Sequence, residues 1–326
     1  MAVPDLPSVS RLAKEVLDEV EVAVIGKRDA LVLVLSSILA GGHVLIEDMP
    51  GLGKTLAARS FAQTLGLTFK RAQFTPDLLP ADLSGSFVFD QRTSEFTFRP
   101  GPLFTGLLLA DEINRTPPKT QAAMLEAMQE RKVTVGGADH ALPDPFFVLA
   151  TQNPIEQEGT YALPEAQLDR FMFMIVVDYP SADEERRIMK MATGVGSGKP
   201  QAVMTAQEIV DLQQIVRRMP VAEHVYEYGE RLVRVTRPKS PEALDFCKKW
   251  LTWGAGPRAG LNLILAAKAR AMLRGQYHVS CEDVAAVALP VFRHRIITNF
   301  AAQSEAVTPD DITRRILEAV PQNEKL

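Results

Sequence analysis

The clearest chemical signal in the chain is a glycine-rich turn that ends in a lysine and a threonine. An apolar run, Val44–Ile46, precedes this turn, and Lys54 and Thr55 open a stretch with a helical pattern. Glycines let the backbone curl so that several N–H groups point at one anion, and the following helix N-terminus adds partial positive charge. Lys54 can reach the outer phosphates of ATP, and the Thr55 hydroxyl can bind Mg²⁺. The residues predicted to hold the nucleotide are Pro50, Gly51, Leu52, Gly53, Lys54, Thr55 and Leu56.

This turn departs at one position from the strict phosphate-loop pattern G-x-x-x-x-G-K-[ST]. The pattern places its first glycine where this chain has Asp48, although Gly51 and Gly53 still supply two glycines beside Pro50. The alternative is an ordinary strand–turn–helix connection in which Gly-Lys-Thr occurs by chance. The other motifs of the chain therefore have to distinguish the two interpretations.

A second signal is a pair of adjacent carboxylates at the end of an apolar run. Residues 107–110 are Leu-Leu-Leu-Ala, and the lack of alternation predicts a strand buried on both faces of a parallel sheet. Asp111 and Glu112 would then lie at the carboxyl edge, where open α/β sheets bind ligands. Asp111 could hold Mg²⁺ directly or through water, and Glu112 could polarise an attacking water. Alone, the pair could equally cap a helix; beside the lysine turn, it favours hydrolysis of ATP.

A third polar residue, Asn153, follows the predicted strand over residues 146–150. If this strand neighbours the one that ends in the carboxylates, Asn153 can orient water against the γ-phosphate. The alternative is a simple turn, because Asn153 precedes Pro154 and Asn-Pro pairs favour turns.

A bend near the start of the chain is a candidate contact for the adenine ring. Ile25 and Gly26 separate two predicted helices shortly before the glycine-rich turn. In a nucleotide-binding fold, a segment at this place can fold over the adenine, whereas the alternative is a plain helix–helix turn.

Two arginines lie where a helix ends or begins. Arg170 ends a short helix predicted to start near Pro164, and it could reach the γ-phosphate of a neighbouring subunit or form a salt bridge within its own domain. Arg258 opens the helix predicted over 258–274, and it could swing toward the nucleotide phosphates or stay solvated.

The composition disfavours several classes of protein. The 326 residues are 46% hydrophobic and 23% charged, as in ordinary globular proteins, and the formal net charge is −4. Nucleic acid binding is not expected, because the chain has no overall positive charge. Two cysteines, Cys247 and Cys281, without metal-ligand spacing predict a reducing, cytoplasmic location. No signal-peptide pattern is found, and the apolar run at 30–40 is too short to cross a bilayer, so membrane insertion is not expected.

The periodicity of the chain predicts two domains. Residues 1–180 alternate between strand and helix patterns, which favours an α/β fold with a parallel sheet between helices. Within them, 75–106 predict an insertion with two short β segments, and 133–141 predict a β-hairpin around two glycines. Residues 181–326 contain a flexible linker at about 193–204 and then only helical patterns, which predict a small all-α domain.

The order of these motifs resembles an AAA+ ATPase, and the motifs themselves resemble the MoxR family. The resemblance covers nearly the whole chain and rests on four blocks. They are EDMPGLGKT at 47–55, DEINR at 111–115, ATQNP at 150–154 and GTYALPEAQLDRF at 159–171. The last block is quite specific to this family, and Asp48 is typical of it.

The resemblance implies a fold and roles for single residues. The fold would be an AAA+ P-loop ATPase core with a C-terminal all-α lid domain and an insert in the second helix of the core. By position, Asn153 would be sensor 1, Arg170 the arginine finger and Arg258 sensor 2. Arg115 is a second candidate for the contact between subunits.

The resemblance also implies partners. Family members form ring oligomers, commonly hexamers, and act as chaperone-like ATPases that mature partner complexes or insert metal cofactors. Their usual partners carry von Willebrand factor A domains. Two alternatives stay open: a nucleotide-gated scaffold with little turnover, and a DNA-remodelling role, which the acidic charge balance disfavours.

Overall fold

A computed structural model describes residues 6–48, 52–153, 160–194 and 198–322. None of the helices within these ranges is both long and apolar enough to span a bilayer. The helices are α1 Leu6–Glu21, α2 Arg28–Ala40, α3 Lys54–Thr64, α4 Pro80–Ser84, α5 Pro118–Glu130, α6 Glu165–Leu168, α7 Ala182–Thr193, α8 Ala206–Arg218, α9 Glu223–Arg234, α10 Asp245–Trp250, α11 Pro257–Leu273, α12 Cys281–Phe292, α13 Phe300–Ser304 and α14 Pro309–Ala319, with a 3-10 turn at Ile113–Arg115. The strands are β1 Val44–Asp48, β2 Phe69–Gln73, β3 Gly85–Asp90, β4 Glu95–Pro100, β5 Leu107–Asp111, β6 Lys132–Val135, β7 Ala138–Ala141, β8 Phe147–Gln152, β9 Phe173–Val177, β10 Leu251–Trp253 and β11 Ile297–Thr298.

Five parallel strands form the central sheet in the order β2-β5-β8-β1-β9. Successive side chains of a strand point to opposite faces, so Leu107 and Leu109 enter the core on one side while Leu108 and Ala110 enter it on the other. All five residues of β5 are buried, which explains the unbroken apolar run in the sequence. The predicted α/β architecture with a parallel sheet is confirmed.

The C-terminal helices pack directly on the sheet domain. Helices α8 and α11 contact α2, and α12 contacts β9. Apolar side chains from both parts belong to one continuous core. A short antiparallel pair, β10 with β11, lies among these helices, and the sequence periodicity does not predict it. Helix α10 ends at Trp250, where the chain becomes extended as β10. Directly after β10, Gly254 lies so near Thr236 that a Cβ would be 2.4 Å from its carbonyl oxygen.

Two antiparallel hairpins, β3–β4 and β6–β7, pack against each other. The Phe98 ring of β4 stacks on the His140 ring of β7, with 4.0 Å between the ring centroids. A Cβ at Gly136, in the turn of the second hairpin, would be 2.6 Å from the ring of Phe87 in β3. The two hairpins therefore form one unit, from which the side chain of Phe96 is strongly exposed.

A buried histidine fixes the amino ends of two strands. His43 precedes β1, and its Nδ1 accepts a hydrogen bond from the Val148 N–H of β8 at 3.0 Å. Its Nε2 donates to the carbonyl oxygen of Met128, 3.3 Å away. Burial lowers the pKa of His43 to about 3, so the ring is neutral in the folded protein at neutral pH.

Because His43 is buried in its neutral form, we expect the folded protein to lose stability in mild acid. The unfolded chain protonates it near pH ~6.5, but the folded protein excludes this proton down to about pH 3. The stabilisation is fully present above the unfolded pKa and falls by about 1.4 kcal/mol per pH unit below it. A His43→Asn variant keeps an acceptor for the Val148 N–H and takes up no proton, so its free energy of unfolding should fall less steeply between about pH 6 and pH 5.

Denaturant unfolding at several pH values checks this prediction. The control is His224→Asn, which changes an exposed histidine and should leave the slope unchanged. Equal slopes in the unsubstituted protein and in His43→Asn would contradict the prediction.

Candidate active site

The predicted catalytic residues meet because three neighbouring strands end at one edge of the sheet. Strand β8 lies between β5 and β1, and all three run in the same direction. Ala150 of β8 is in register with Ala110 of β5 and with Leu45 of β1. Asp111, at the end of β5, and Asn153, after β8, therefore lie at the same carboxyl edge, beside the loop that leads from β1 into α3.

Helix α3 begins at this edge with a left-handed glycine. Gly53 has a φ of 82°, which glycine adopts readily, and it caps the helix. Ala57 N–H donates the first helical hydrogen bond to the Gly53 carbonyl, so the N–H groups of Lys54, Thr55 and Leu56 lie ahead of the helical ladder. N–H groups in this position, together with the helix dipole, favour a bound phosphate.

The described part of the loop begins at Leu52, a half-buried residue directly before Gly53. Two predicted nucleotide-binding residues, Pro50 and Gly51, lie outside the described residues, and their role stays a prediction.

Asp111 is held at both carboxylate oxygens. The Thr151 hydroxyl donates to its Oδ1 at 2.7 Å. Arg71 donates to its Oδ2, with Nη2 at 2.6 Å and Nε at 3.1 Å. The Asp111 side chain is only 9% exposed, so the guanidinium supplies the counter-charge that a buried carboxylate needs. A cation that binds Oδ2 would take the place that Arg71 now occupies.

Glu112 follows with a backbone conformation that is uncommon outside glycine. Its φ is 58°, and its N–H donates to the Thr151 hydroxyl oxygen at 2.9 Å. Thr151 thereby contacts both acidic residues. Gln73 Nε2 and Arg115 Nη1 donate to Glu112 Oε2 at 2.7 and 3.0 Å. Arg115, the second candidate for a contact between subunits, is thus paired with Glu112 of its own chain.

Three residues of this network are missing from the sequence prediction: Arg71, Gln73 and Thr151. Gln73 ends β2 and is in register with Asp111 on β5. Thr151 is the penultimate residue of β8. The sequence signal that could have identified them is a polar residue at or near the end of a strand, because open α/β sheets bind ligands at that edge.

Asn153 is a buried polar residue, 4% exposed, just beyond β8. Its carbonyl oxygen accepts a hydrogen bond from Asn114 Nδ2 at 3.3 Å, and Asn114 lies in the 3-10 turn after Glu112. The two polar strand ends are therefore linked by a direct contact. Residues 154–159, which carry part of the family-specific blocks, lie outside the described residues.

The bend at Ile25 and Gly26 also lies at the carboxyl edge. Gly26 has a φ of 74°, and a Cβ there would be 2.1 Å from Oε1 of Glu184 at the start of α7. The next residue, Lys27, donates to the carbonyl of Asp178 directly after β9. Strand β9 neighbours β1, so the bend lies near the strand that leads into the glycine-rich turn, and its contact with adenine stays a prediction.

Arg170 and Arg258 lie at the opposite, amino edge of the sheet. They line a cavity of about 310 Å³ together with His43, which precedes β1, and Met172, which precedes β9. A five-residue strand is about 17 Å long, so neither arginine lies beside the phosphate loop of its own chain. Within the described part of the chain, Arg170 makes no ion pair with a carboxylate.

The structure places Arg258 away from the phosphate loop of its own chain, and its contact with nucleotide phosphates stays a prediction. Its Nη1 lies 3.6 Å from Oδ2 of Asp169, the residue before Arg170. The physical reason is the packing of α11 against α2, which keeps the start of α11 at the amino edge. Arg131 and Arg217 line the same cavity, and no carboxylate among the described residues does, so the cavity suits an anion.

The donor set at the carboxyl edge suits Mg²⁺. Among the residues with described positions, no group of three or more His, Cys, Asp or Glu side chains could hold a metal ion. Mg²⁺ commonly takes one or two carboxylates and completes its shell with waters and substrate phosphates. The Thr55 hydroxyl and the Asp111 carboxylate provide two oxygen donors for this mode of binding.

Comparisons with known proteins agree with this geometry. Residues 43–173 match the model of the ATPase family associated with various cellular activities (AAA), and residues 246–316 match the AAA lid domain. The chain is 42% identical to Chaperone MoxR1 of Mycobacterium tuberculosis over 93% of this chain and 80% of that protein. It is 30% identical to the protein MoxR of Paracoccus denitrificans over 88% of this chain and 89% of that protein.

A solved structure extends the likeness to the whole fold. The crystal structure of a candidate ATPase from Cytophaga hutchinsonii has a TM-score of 0.92 and 38% identity, and the match covers 98% of this chain and 97% of that one. The chain therefore belongs to the MoxR family of AAA ATPases.

Proposed function

We propose that the chain binds ATP with Mg²⁺, hydrolyses it to ADP and phosphate, and uses the turnover to remodel a partner protein complex. The observation that carries the proposal is the convergence of Asp111, Glu112 and Asn153 beside the N-terminus of α3. Phosphoryl transfer to water needs a phosphate cradle, a metal ligand and a group that positions the water. The identity to a chaperone supports the chaperone-like role.

Each residue has a separate task in this proposal. Lys54 and the N–H groups of the first turn of α3 bind the outer phosphates, and Thr55 and Asp111 bind the metal. Mg²⁺ supplies charge neutralisation on the phosphates when bound. Glu112 orients and polarises the attacking water, and Asn153 aligns it with the γ-phosphate. Glu112 must then exchange its contacts with Gln73 and Arg115 for a contact with water.

We further propose a ring, with a hexamer as the expected size. The phosphate loop and the cavity with Arg170 and Arg258 lie at opposite edges of the sheet. A head-to-tail contact between copies can bring the arginines of one chain to the nucleotide of the next, and such contacts close into rings. The proposed partner is a complex with a von Willebrand factor A domain, which the ring would mature or load with a metal cofactor.

Replacing the proposed water-activating residue should separate binding from turnover. Glu112→Gln should bind ATP with unchanged affinity, because the amide still accepts a hydrogen bond but is a far weaker base. Its steady-state phosphate release should fall by about 10²- to 10⁴-fold. Glu126→Gln, on the exposed side of α5, is the control and should turn over normally.

Two outcomes would count against the proposal. Normal turnover in Glu112→Gln would remove this residue from the mechanism. A chain that binds ATP but releases no phosphate before any substitution would instead favour a nucleotide-gated scaffold.

Replacing either Arg170 or Arg258 should impair ATP hydrolysis at the active site of the neighbouring subunit. Arg170→Ala and Arg258→Ala should each bind ATP normally and lose turnover, by up to about 10³-fold for the arginine finger. Mixing either variant with Lys54→Ala should restore part of the activity, because the second subunit supplies intact arginines to a site with an intact phosphate loop. Phosphate release at constant total subunit concentration measures this, and a mixture no more active than the sum of its parts would contradict the arrangement between subunits.

A further inference from the structure

The guanidinium of Arg295, in the helical part of the chain that follows the sheet domain, is almost completely buried against that domain. The side chain of Arg295, which follows α12, is 2% exposed. Its Nε donates to Asp169 Oδ1 at 2.7 Å, and its Nη1 donates to the Val291 carbonyl at 2.7 Å and to the Met172 carbonyl at 3.1 Å. Its Nη2 donates to the carbonyls of Phe171 at 2.6 Å and Asp169 at 3.0 Å. Five acceptors thus match the five N–H donors of an arginine.

Four of these five hydrogen bonds go to the segment that carries Arg170. Arg295 holds the backbone carbonyl on each side of Arg170, at Asp169 and at Phe171. The adjacent His294 adds a bond from its Nε2 to the Phe171 carbonyl at 3.1 Å. The Phe171 side chain is fully buried, so the chain is anchored directly after Arg170.

The same contacts connect two of the arginines that line the amino-edge cavity, Arg170 and Arg258. Asp169 pairs with Arg295 through Oδ1 and lies 3.6 Å from Arg258 through Oδ2. Burial lowers the pKa of Arg295 to about 10, against the opposing effect of Asp169, and the group stays charged at neutral pH. One carboxylate therefore contacts both Arg295 and the start of α11.

We propose that Arg295 is a positioning residue for Arg170: it fixes the backbone of Asp169–Met172 so that Arg170 meets the nucleotide of a neighbouring subunit. This inference rests on the proposed arginine finger and extends it to a residue that touches no nucleotide. The physical reason is precision, because a displacement of about 1 Å in a group that acts on the transition state can lower a rate by about 10²-fold.

The chain offers a matched control two residues away. Arg293 also belongs to the C-terminal part and also reaches the sheet, where its Nη1 donates to the Met174 carbonyl at 2.8 Å. It pairs with Asp310 through Nε at 2.8 Å and Nη2 at 2.7 Å, and its side chain is 16% exposed. Unlike Arg295, it makes no hydrogen bond to the segment around Arg170 within the described contacts.

The first test compares Arg295→Lys with Arg293→Lys. Lysine keeps the charge and loses the planar fork of five donors, so it cannot hold three carbonyls of the segment and Asp169 together. Arg295→Lys should bind ATP normally and lose about 10- to 100-fold in turnover. Arg293→Lys should lose thermal stability without a comparable loss of turnover. If Arg295→Lys does not fold, Asp169→Asn replaces it, with the same expected loss.

The second test determines whether Arg295→Lys impairs the active site of its own subunit or that of the neighbouring subunit. Arg295→Lys is mixed with Glu112→Gln, whose intact Arg170 should serve the intact phosphate loop of the Arg295→Lys subunit. Phosphate release per Arg295→Lys subunit should then rise well above that of Arg295→Lys rings, as it should in a parallel mixture of Arg170→Ala with Glu112→Gln. A defect in the variant's own site would not be rescued in this way.

Each result decides between positioning and simple structural support. Normal turnover in Arg295→Lys, or lost turnover without rescue, would overturn the positioning role while leaving the Arg170 role intact. Normal turnover in Arg170→Ala would instead refute the proposed arginine finger itself. The two failures are therefore distinguishable.

Discussion

The parallel direction of the five central strands is the constraint on which the rest of the structure depends. Because every strand points the same way, the carboxyl ends of β5, β8 and β1 bring their polar residues to one edge. The same constraint sends the segments that precede the strands, with Arg170 before β9, to the opposite edge. Within a single chain, the carboxyl-edge residues and Arg170, both proposed to take part in the reaction, therefore lie about one strand length apart.

The carboxyl edge brings negative charge together, and the structure balances it with side chains from β2, from β8 and from the 3-10 turn after β5. Asp111 and Glu112 are adjacent, and each is held by a cationic group, Arg71 in one case and Arg115 in the other. Thr151 adds one hydrogen bond to each of the two acidic residues. In the proposed reaction, Mg²⁺ and phosphate would therefore have to compete with these contacts inside the chain.

The sequence predicts this edge well because its residues come in motifs with a fixed local geometry. Gly53 to Thr55 and Asp111 to Glu112 each follow an apolar strand pattern, so the strand end that they occupy can be read from the chain alone. Arg71 and Gln73 are different, since each is one polar residue in a short strand. Their function depends on the pairing of β2 with β5, which no local pattern specifies. Pro50 and Gly51 stay predictions, because they lie outside the described residues.

The position of Arg258 could not be predicted, because it depends on how two parts of the chain pack. The sequence correctly predicts the helix that carries Arg258. The edge of the sheet at which this helix begins is set by the contacts of α11 with α2 and by the shared core. The buried Arg295 shows the same limit: it is one arginine in the turn after α12, and only the fold brings it to the backbone around Arg170.

This packing also restricts how ATP turnover could move the protein. The C-terminal part shares one apolar core with the sheet domain, and Arg293 and Arg295 bind carbonyls in and before β9. A swing of this part as a separate flap would break these buried hydrogen bonds and expose apolar surface. The smaller change is a movement of the C-terminal part together with the amino edge of the sheet. In a ring, such a movement would carry Arg170 and Arg258 toward or away from the neighbour's nucleotide. The nucleotide bound at one site would then act mainly on the conformation of the next subunit, which supplies these arginines.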